Sequence, residues 1–115
     1  PEVSRVLHPA LPGNPHHGLW KRDFTGASGL FGVVLKDVPK PALAAMIEGL
    51  DLFSIGASWG GYESLVTTCY PPRTVEAWNP EGPLLRLHIG LEDPADIIAD
   101  LEAGFERMNK LKAAA

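Results

Sequence analysis

The sequence predicts an α+β fold, a small two-layer sandwich in which a mainly antiparallel sheet carries helices on one side. Three observations predict it. Short apolar or alternating runs at residues 3–7, 30–35, 52–57 and 84–89 are interspersed with helix-patterned stretches at 16–24, 39–50 and 94–112. Strands and helices mixed in this way pack as one sheet with helices against it. The two longer helical stretches each carry one apolar stripe, the pattern of a helix covered on one side only. Finally, 115 residues, of which 45% are hydrophobic and 21% charged, suffice for one core, so residues 1–115 read as a single domain.

The first strand is short, because Pro9, Pro12 and Pro15 follow it and proline cannot donate to a ladder; residues 9–15 form a rigid loop. Leu19, Trp20 and Phe24 then stand at helical spacing, with Gly26 as the expected C-cap. The continuous apolar run Leu30-Phe31-Gly32-Val33-Val34-Leu35 predicts a central strand covered on both faces. Pro39 and Pro41 introduce a helix whose Leu43, Met46, Ile47 and Leu50 share one face. Residues 52–57 are a shorter strand candidate leading into Ser58-Trp59-Gly60-Gly61. In residues 84–89, alternation puts Arg86 and His88 on one face and Leu85 and Leu87 on the other. The last helix has Asp93 as N-cap, Pro94 at its first position, Asp96 in its first turn and Lys110 and Lys112 near its end. Its expected buried stripe is Ile97, Ile98, Leu101, Phe105 and Met108.

Fourteen acids against ten bases give a net charge of -4 without any basic run, which excludes the electrostatic footprint of nucleic-acid binding. No stretch reaches the ~18 apolar residues that would cross a bilayer. Cys69 is the only cysteine, so neither an internal disulfide nor a multi-thiolate metal site can form, and a reducing compartment is expected. His16-His17 could tempt a metal assignment, but adjacent residues point different ways and no third ligand has suitable spacing; no metal site is expected. The glycines at 26, 29 and 32 lead into a strand, whereas a phosphate loop leads from a strand into a helix. The chain starts at Pro1, without methionine and close to a strand, which predicts a piece of a longer protein, a processed or trimmed terminus being the alternative.

Two motifs carry chemistry: Ser58-Trp59-Gly60-Gly61-Tyr62-Glu63-Ser64-Leu65 and Arg86-Leu87-His88-Ile89-Gly90-Leu91-Glu92-Asp93. The paired glycines permit uncommon backbone conformations and close approach. An arginine inside an apolar strand needs an anion. Its structural partner could be a neighbouring carboxylate such as Glu92; its functional one would be a carboxylate ligand, which the planar guanidinium fork grips bidentately.

Together the motifs resemble the C-terminal signature of the Cys/Met-metabolism family of pyridoxal-phosphate (PLP) enzymes. The resemblance runs from the proline-rich loop around residues 11–19 to the last helix. It implies the C-terminal domain of a fold-type I enzyme, with the substrate-binding residues Arg86, Ser58 and Trp59: Arg86 for the α-carboxylate, Ser58 and Trp59 bordering cofactor and carboxylate. Synthases and γ-lyases of the family usually carry Ser-Leu-Gly here, followed by a His-Pro segment ending in Met-Thr-His. Trp59 and the run Thr67-Thr68-Cys69-Tyr70-Pro71-Pro72 instead point to the β-lyase branch. The implied reaction is β-elimination of L-cystathionine to homocysteine, pyruvate and ammonia, a transsulfuration-type step of methionine biosynthesis. A γ-synthase, γ-lyase or methionine γ-lyase activity is the alternative within the family.

By the same resemblance the cofactor is pyridoxal 5'-phosphate, held mainly by an absent domain that carries the lysine. The partners are a sulfur amino acid, the N-terminal and PLP domains of the same protein, and further copies in a homotetramer, a dimer of dimers, in the cytoplasm. No catalytic residue is expected in this chain, which should be inactive alone. His88 is assigned a structural role, because relatives with serine there keep the family's chemistry. Residues 62–65 are read as scaffold. A stand-alone small-molecule-binding or regulatory module is the reading from a different class.

Overall fold

A computed structural model describes residues 1–78 and 80–114. Among these residues five strands form one sheet: β1 (Val3–Leu7), β2 (Leu30–Leu35), β3 (Ser54–Ile55), β4 (Leu65–Cys69) and β5 (Leu84–His88), in the order β1-β2-β5-β4-β3. Every pairing is antiparallel except β3 with β4, which is parallel. The helices are α1 (His17–Asp23), α2 (Lys40–Glu48) and α3 (Pro94–Ala114). The core lies between one face of the sheet, with Val33, Leu35, Val66, Leu85 and Leu87, and the packed pair α2 and α3, with Met46, Ile47, Ile97 and Met108. The α+β sandwich with helices on one side is therefore what forms. Among the described residues no helix is long and apolar enough to cross a membrane.

As predicted, β2 is an interior strand buried on both faces, while the middle place of the sheet falls to β5. Both are paired on two sides, but β5 stands third of five and β2 second. Continuous apolarity reports burial, and β2 is buried at Val33, Val34 and Leu35; it does not report strand order. Residues 52–57 pair only at Ser54 and Ile55, an exposed edge. No strand is predicted for β4 from the sequence, although Val66, Thr67 and Thr68 are the β-branched residues that favour a pleated surface.

The helices follow their patterns with local departures. In α2, Leu43, Met46 and Ile47 are buried, and Leu50 is buried just beyond it. The helix α1 ends at Phe24 in extended conformation rather than at Gly26, and Leu19 and Phe24 are exposed, so their helical spacing marks no buried stripe. It is fastened instead by His17, whose Nδ1 lies 3.0 Å from the Pro9 carbonyl oxygen and whose ring stacks on Trp20, and by Trp20 Nε1, which donates to the Gly26 carbonyl. Asp93 caps α3 as expected, its Oδ1 accepting from the Ala95 N–H at 2.8 Å.

Along α3, Ile97 and Met108 are buried and Leu101 and Phe105 partly so, but Ile98 is exposed and Asp100 and Gly104 take buried positions. Each has a physical reason. The Asp100 carboxylate accepts from the backbone N–H groups of Asp51 and Leu52, both at 2.9 Å, tying the exit of α2 to α3. At Gly104 a Cβ would press within 3.0 Å of Leu50 and 3.2 Å of Met46, so the lack of a side chain there lets α3 sit close to these two residues. Arg107 donates to the carbonyls of Ala45 and Met46 and closes the C-terminal end of α2.

Asp100→Ala should leave two backbone donors without their acceptor. At about 1–2 kcal/mol per lost bond it should destabilise the domain by roughly 2–4 kcal/mol. Asp100→Asn, which keeps one acceptor oxygen, should cost less. Denaturant unfolding of the three proteins checks the order.

Candidate functional site

Strand β5 divides the molecule. Leu85 and Leu87 enter the core, while Arg86 and His88 point to the face that α2 and α3 leave uncovered. In register, Arg86 lies between Gly32 of β2, which has no side chain, and Thr67 of β4. Its Nη2 donates to the carbonyl oxygen of Ala57, the residue immediately before Ser58. No carboxylate lies within ion-pair distance of Arg86 among the described residues. Glu92, the structural partner that the sequence suggested, is engaged elsewhere.

Glu92 belongs to a half-buried clamp built around Ser64. The side chain of Ser64 is fully buried; its hydroxyl donates to Glu92 Oε2 at 2.7 Å and accepts from the Gly90 N–H at 2.9 Å. The Ser64 N–H donates to Glu92 Oε1 at 3.2 Å, and the Leu91 N–H to the Tyr62 carbonyl at 2.9 Å. A side chain at position 90 would run into the backbone of Tyr62, Glu63 and Ser64, so only glycine lets the two segments meet. These bonds join the end of the first motif to the end of the second. The Ser64 hydroxyl, followed by backbone donation, holds the Glu92 carboxyl below the usual glutamate range.

Between Ala57 and Tyr62 the chain makes a turn with Gly60 at φ +81°, in the left-handed region that favours glycine. His88 is 7% exposed and meets this turn with both ring nitrogens: Nδ1 accepts from the Gly60 N–H at 3.4 Å, and Nε2 lies 3.0 Å from the Gly61 carbonyl oxygen. A carbonyl only accepts, so this pairing requires the neutral ring with its proton on Nε2. Ser58 is exposed and its hydroxyl bonds to no residue described, and Trp59 is 63% exposed. Neither is packed as a strand-end scaffold would be. A cleft of about 310 Å³ runs along the turn past Ser58, Gly61, Tyr62 and Glu63. A larger one, about 470 Å³ beside Leu19, Trp20 and Phe24, contains none of the motif residues.

The structure thus ties Arg86 to the residue preceding Ser58 and Trp59, across 29 positions of sequence. Ser64 and His88, which the sequence reads as scaffold and structural residues, organise this region; what the sequence does not show is their partners. The face parity of Arg86 and His88 was the only available signal for His88, and Ser64 had none, because its partners lie 26 and 28 residues away.

A five-stranded sheet backed on one face by helices, with these two motifs meeting at one end, is an architecture of fold-type I PLP-dependent enzymes. It superimposes with a TM-score of 0.76 on cystathionine gamma synthase from Xanthomonas oryzae pv. oryzae, at 26% identity, over 95% of this chain and 30% of that one. The chain belongs to the family of Cys/Met metabolism PLP-dependent enzymes, whose model matches residues 1–106. Among relatives it is 52% identical to the cystathionine beta-lyase of Escherichia coli K12, over 94% of this chain and 29% of that protein. It is 34% identical to the cystathionine gamma-lyase of Bos taurus, over 95% of this chain and 28% of that protein. The chain spans about three tenths of the length of the curated relatives it matches.

The family's cofactor carries an aldehyde that a lysine must hold. No lysine occurs between Lys40 and Lys110, so none lies on the turn, on β4 or on β5. The Arg86 guanidinium offers N–H donors to an anion, and this region offers no amine to an aldehyde.

The clamp predicts a specific pH response. A carboxyl whose folded pKa is depressed contributes stability that is complete above its unfolded value, about 4.3, and is lost as pH falls through the lower folded value. Ser64→Ala should raise the Glu92 pKa towards the ordinary range and flatten the rise of stability with pH in that acid window. Unfolding free energies measured from pH 2 to pH 6, with the Glu92 titration followed by NMR, check both.

Proposed function

We propose that this chain is the substrate-carboxylate-binding domain of a PLP-dependent carbon–sulfur lyase of the β-lyase branch, acting on cystathionine or a close sulfur amino acid. The observation that carries the reading is the state of Arg86: a guanidinium on the functional face of the sheet, anchored through one nitrogen to Ala57 and paired with no carboxylate among the described residues. Its remaining donors suit the α-carboxylate of an amino acid. Ser58 and Trp59, exposed on the adjoining turn, would border the bound substrate. The higher identity to beta-lyases than to the gamma-lyase, together with tryptophan at position 59, favours β-elimination over the γ reactions.

On this reading the domain binds and orients, and bond-breaking belongs to the cofactor and to the residues that hold it elsewhere in the protein. The partners are then the N-terminal and PLP domains of the same polypeptide and further copies in a homotetramer, in the cytoplasm. A stand-alone regulatory module is the weaker reading, since family membership extends over residues 1–106 and the motifs are those of the enzymes.

In the full-length protein, Arg86→Ala should lower kcat/KM for cystathionine by about 10²-fold or more, the effect of losing a charge-assisted bidentate pair. Cofactor occupancy, read from its absorbance, should be unchanged. Arg86→Lys should recover part of the loss, because an ammonium supplies charge without the planar fork. Near-normal kcat/KM in both variants would make Arg86 a structural residue and remove the basis of the proposal.

A further inference from the structure

We propose that His88 is the positioning residue of the carboxylate site: it fixes the glycine turn that carries Ser58 and Trp59 against Arg86. The inference rests on the carboxylate reading of Arg86 and deepens it. Residues 58–61 are exposed, and a Cβ at Gly60 or Gly61 would meet nothing within 4 Å, so packing does not hold the turn. Hydrogen bonds must. The Gly56 N–H donates to the Val66 carbonyl at 3.2 Å, Arg86 takes the Ala57 carbonyl, and Tyr62 accepts from Leu91. Between Ala57 and Tyr62 the cross-chain bonds among the described residues are those to His88 alone.

The geometry explains how one strand can set the site. Arg86 and His88 are two residues apart on the same face of β5, which puts their Cα atoms about 7 Å apart. Arg86 grips the start of the turn and His88 its apex, so β5 acts as a ruler along it. Its other face, Leu85 and Leu87, is locked in the core, and its ladders to β2 and β4 fix it on both sides. The imidazole can accept from one backbone group and donate to the next because its two nitrogens differ in protonation. A smaller hydroxyl could satisfy one of the two groups.

Carboxylate binding lies away from the bonds that break, so weakening it acts on ground state and transition state alike and appears in KM. In the full-length holoenzyme, His88→Leu, which keeps bulk and removes both bonds, should raise KM for cystathionine about tenfold while kcat changes less than about threefold. His88→Gln, whose amide can still donate to Gly61, should restore part of the affinity. A double-mutant cycle separates placement from general scaffolding. In an Arg86→Ala background, His88→Leu should add little, because the site it arranges is already lost. Equal KM in His88→Leu and wild type, or losses that multiply independently in the double variant, would overturn the positioning role. If His88→Leu does not fold, His88→Gln and the Gln double variant give the same comparison. An Arg86→Ala variant with normal KM and kcat would instead overturn the carboxylate reading itself, whatever His88 does.

Discussion

The clamp of Ser64, Gly90 and Glu92 is the constraint on which the functional face depends. It joins the exit of the turn to the exit of β5 through bonds that no solvent reaches at Ser64. Its terms are all local chemistry: a hydroxyl that donates and accepts at once, a carboxylate with two acceptors for two donors, and a glycine where a side chain would collide with backbone. A buried hydroxyl without such partners would cost about 1–3 kcal/mol. Fully satisfied, it fixes the end of the turn, and Arg86 and His88 fix its beginning and middle.

Strand β5 then has two jobs that its alternation keeps separate. Its leucines join the core that welds the sheet to α2 and α3, and its polar residues organise the opposite face. A rigid strand paired on both sides is a better base for a binding group than a loop, because its side chains inherit the precision of the ladder. The turn itself stays exposed at Ser58 and Trp59. The result is a rigid base that carries an exposed, hydrogen-bonded turn.

The helical layer shows a parallel economy of polar groups. Asp100, Gly104 and Arg107 occupy successive turns of α3 facing α2, and each answers a backbone demand: two orphan N–H groups, a close approach, and the carbonyls at the end of α2. A hydrophobic-stripe reading places Ile98 inward and overlooks all three, because it scores apolarity and not the needs of the neighbouring backbone. Ile98 is exposed for the same reason: the side of α3 that meets α2 is set by where those contacts can form.

Much was legible without coordinates. Periodicity located β1, β2, β5 and all three helices, the face parity of Arg86 and His88 followed from the two-residue repeat of a strand, and Asp93-Pro94 announced the start of α3. The motifs at 58–65 and 86–93 identified the family. Strand order, the pairing of β4, and the partners of Ser64, Glu92 and His88 were not legible. These are contacts between residues 26 to 28 positions apart, and hydrogen bonds at that separation leave no periodic trace in sequence. By itself, then, the sequence determined which residues could serve, through local pattern and residue chemistry. Only the tertiary structure decided which of them meet, because burial and register bring distant backbone donors and acceptors within bonding distance.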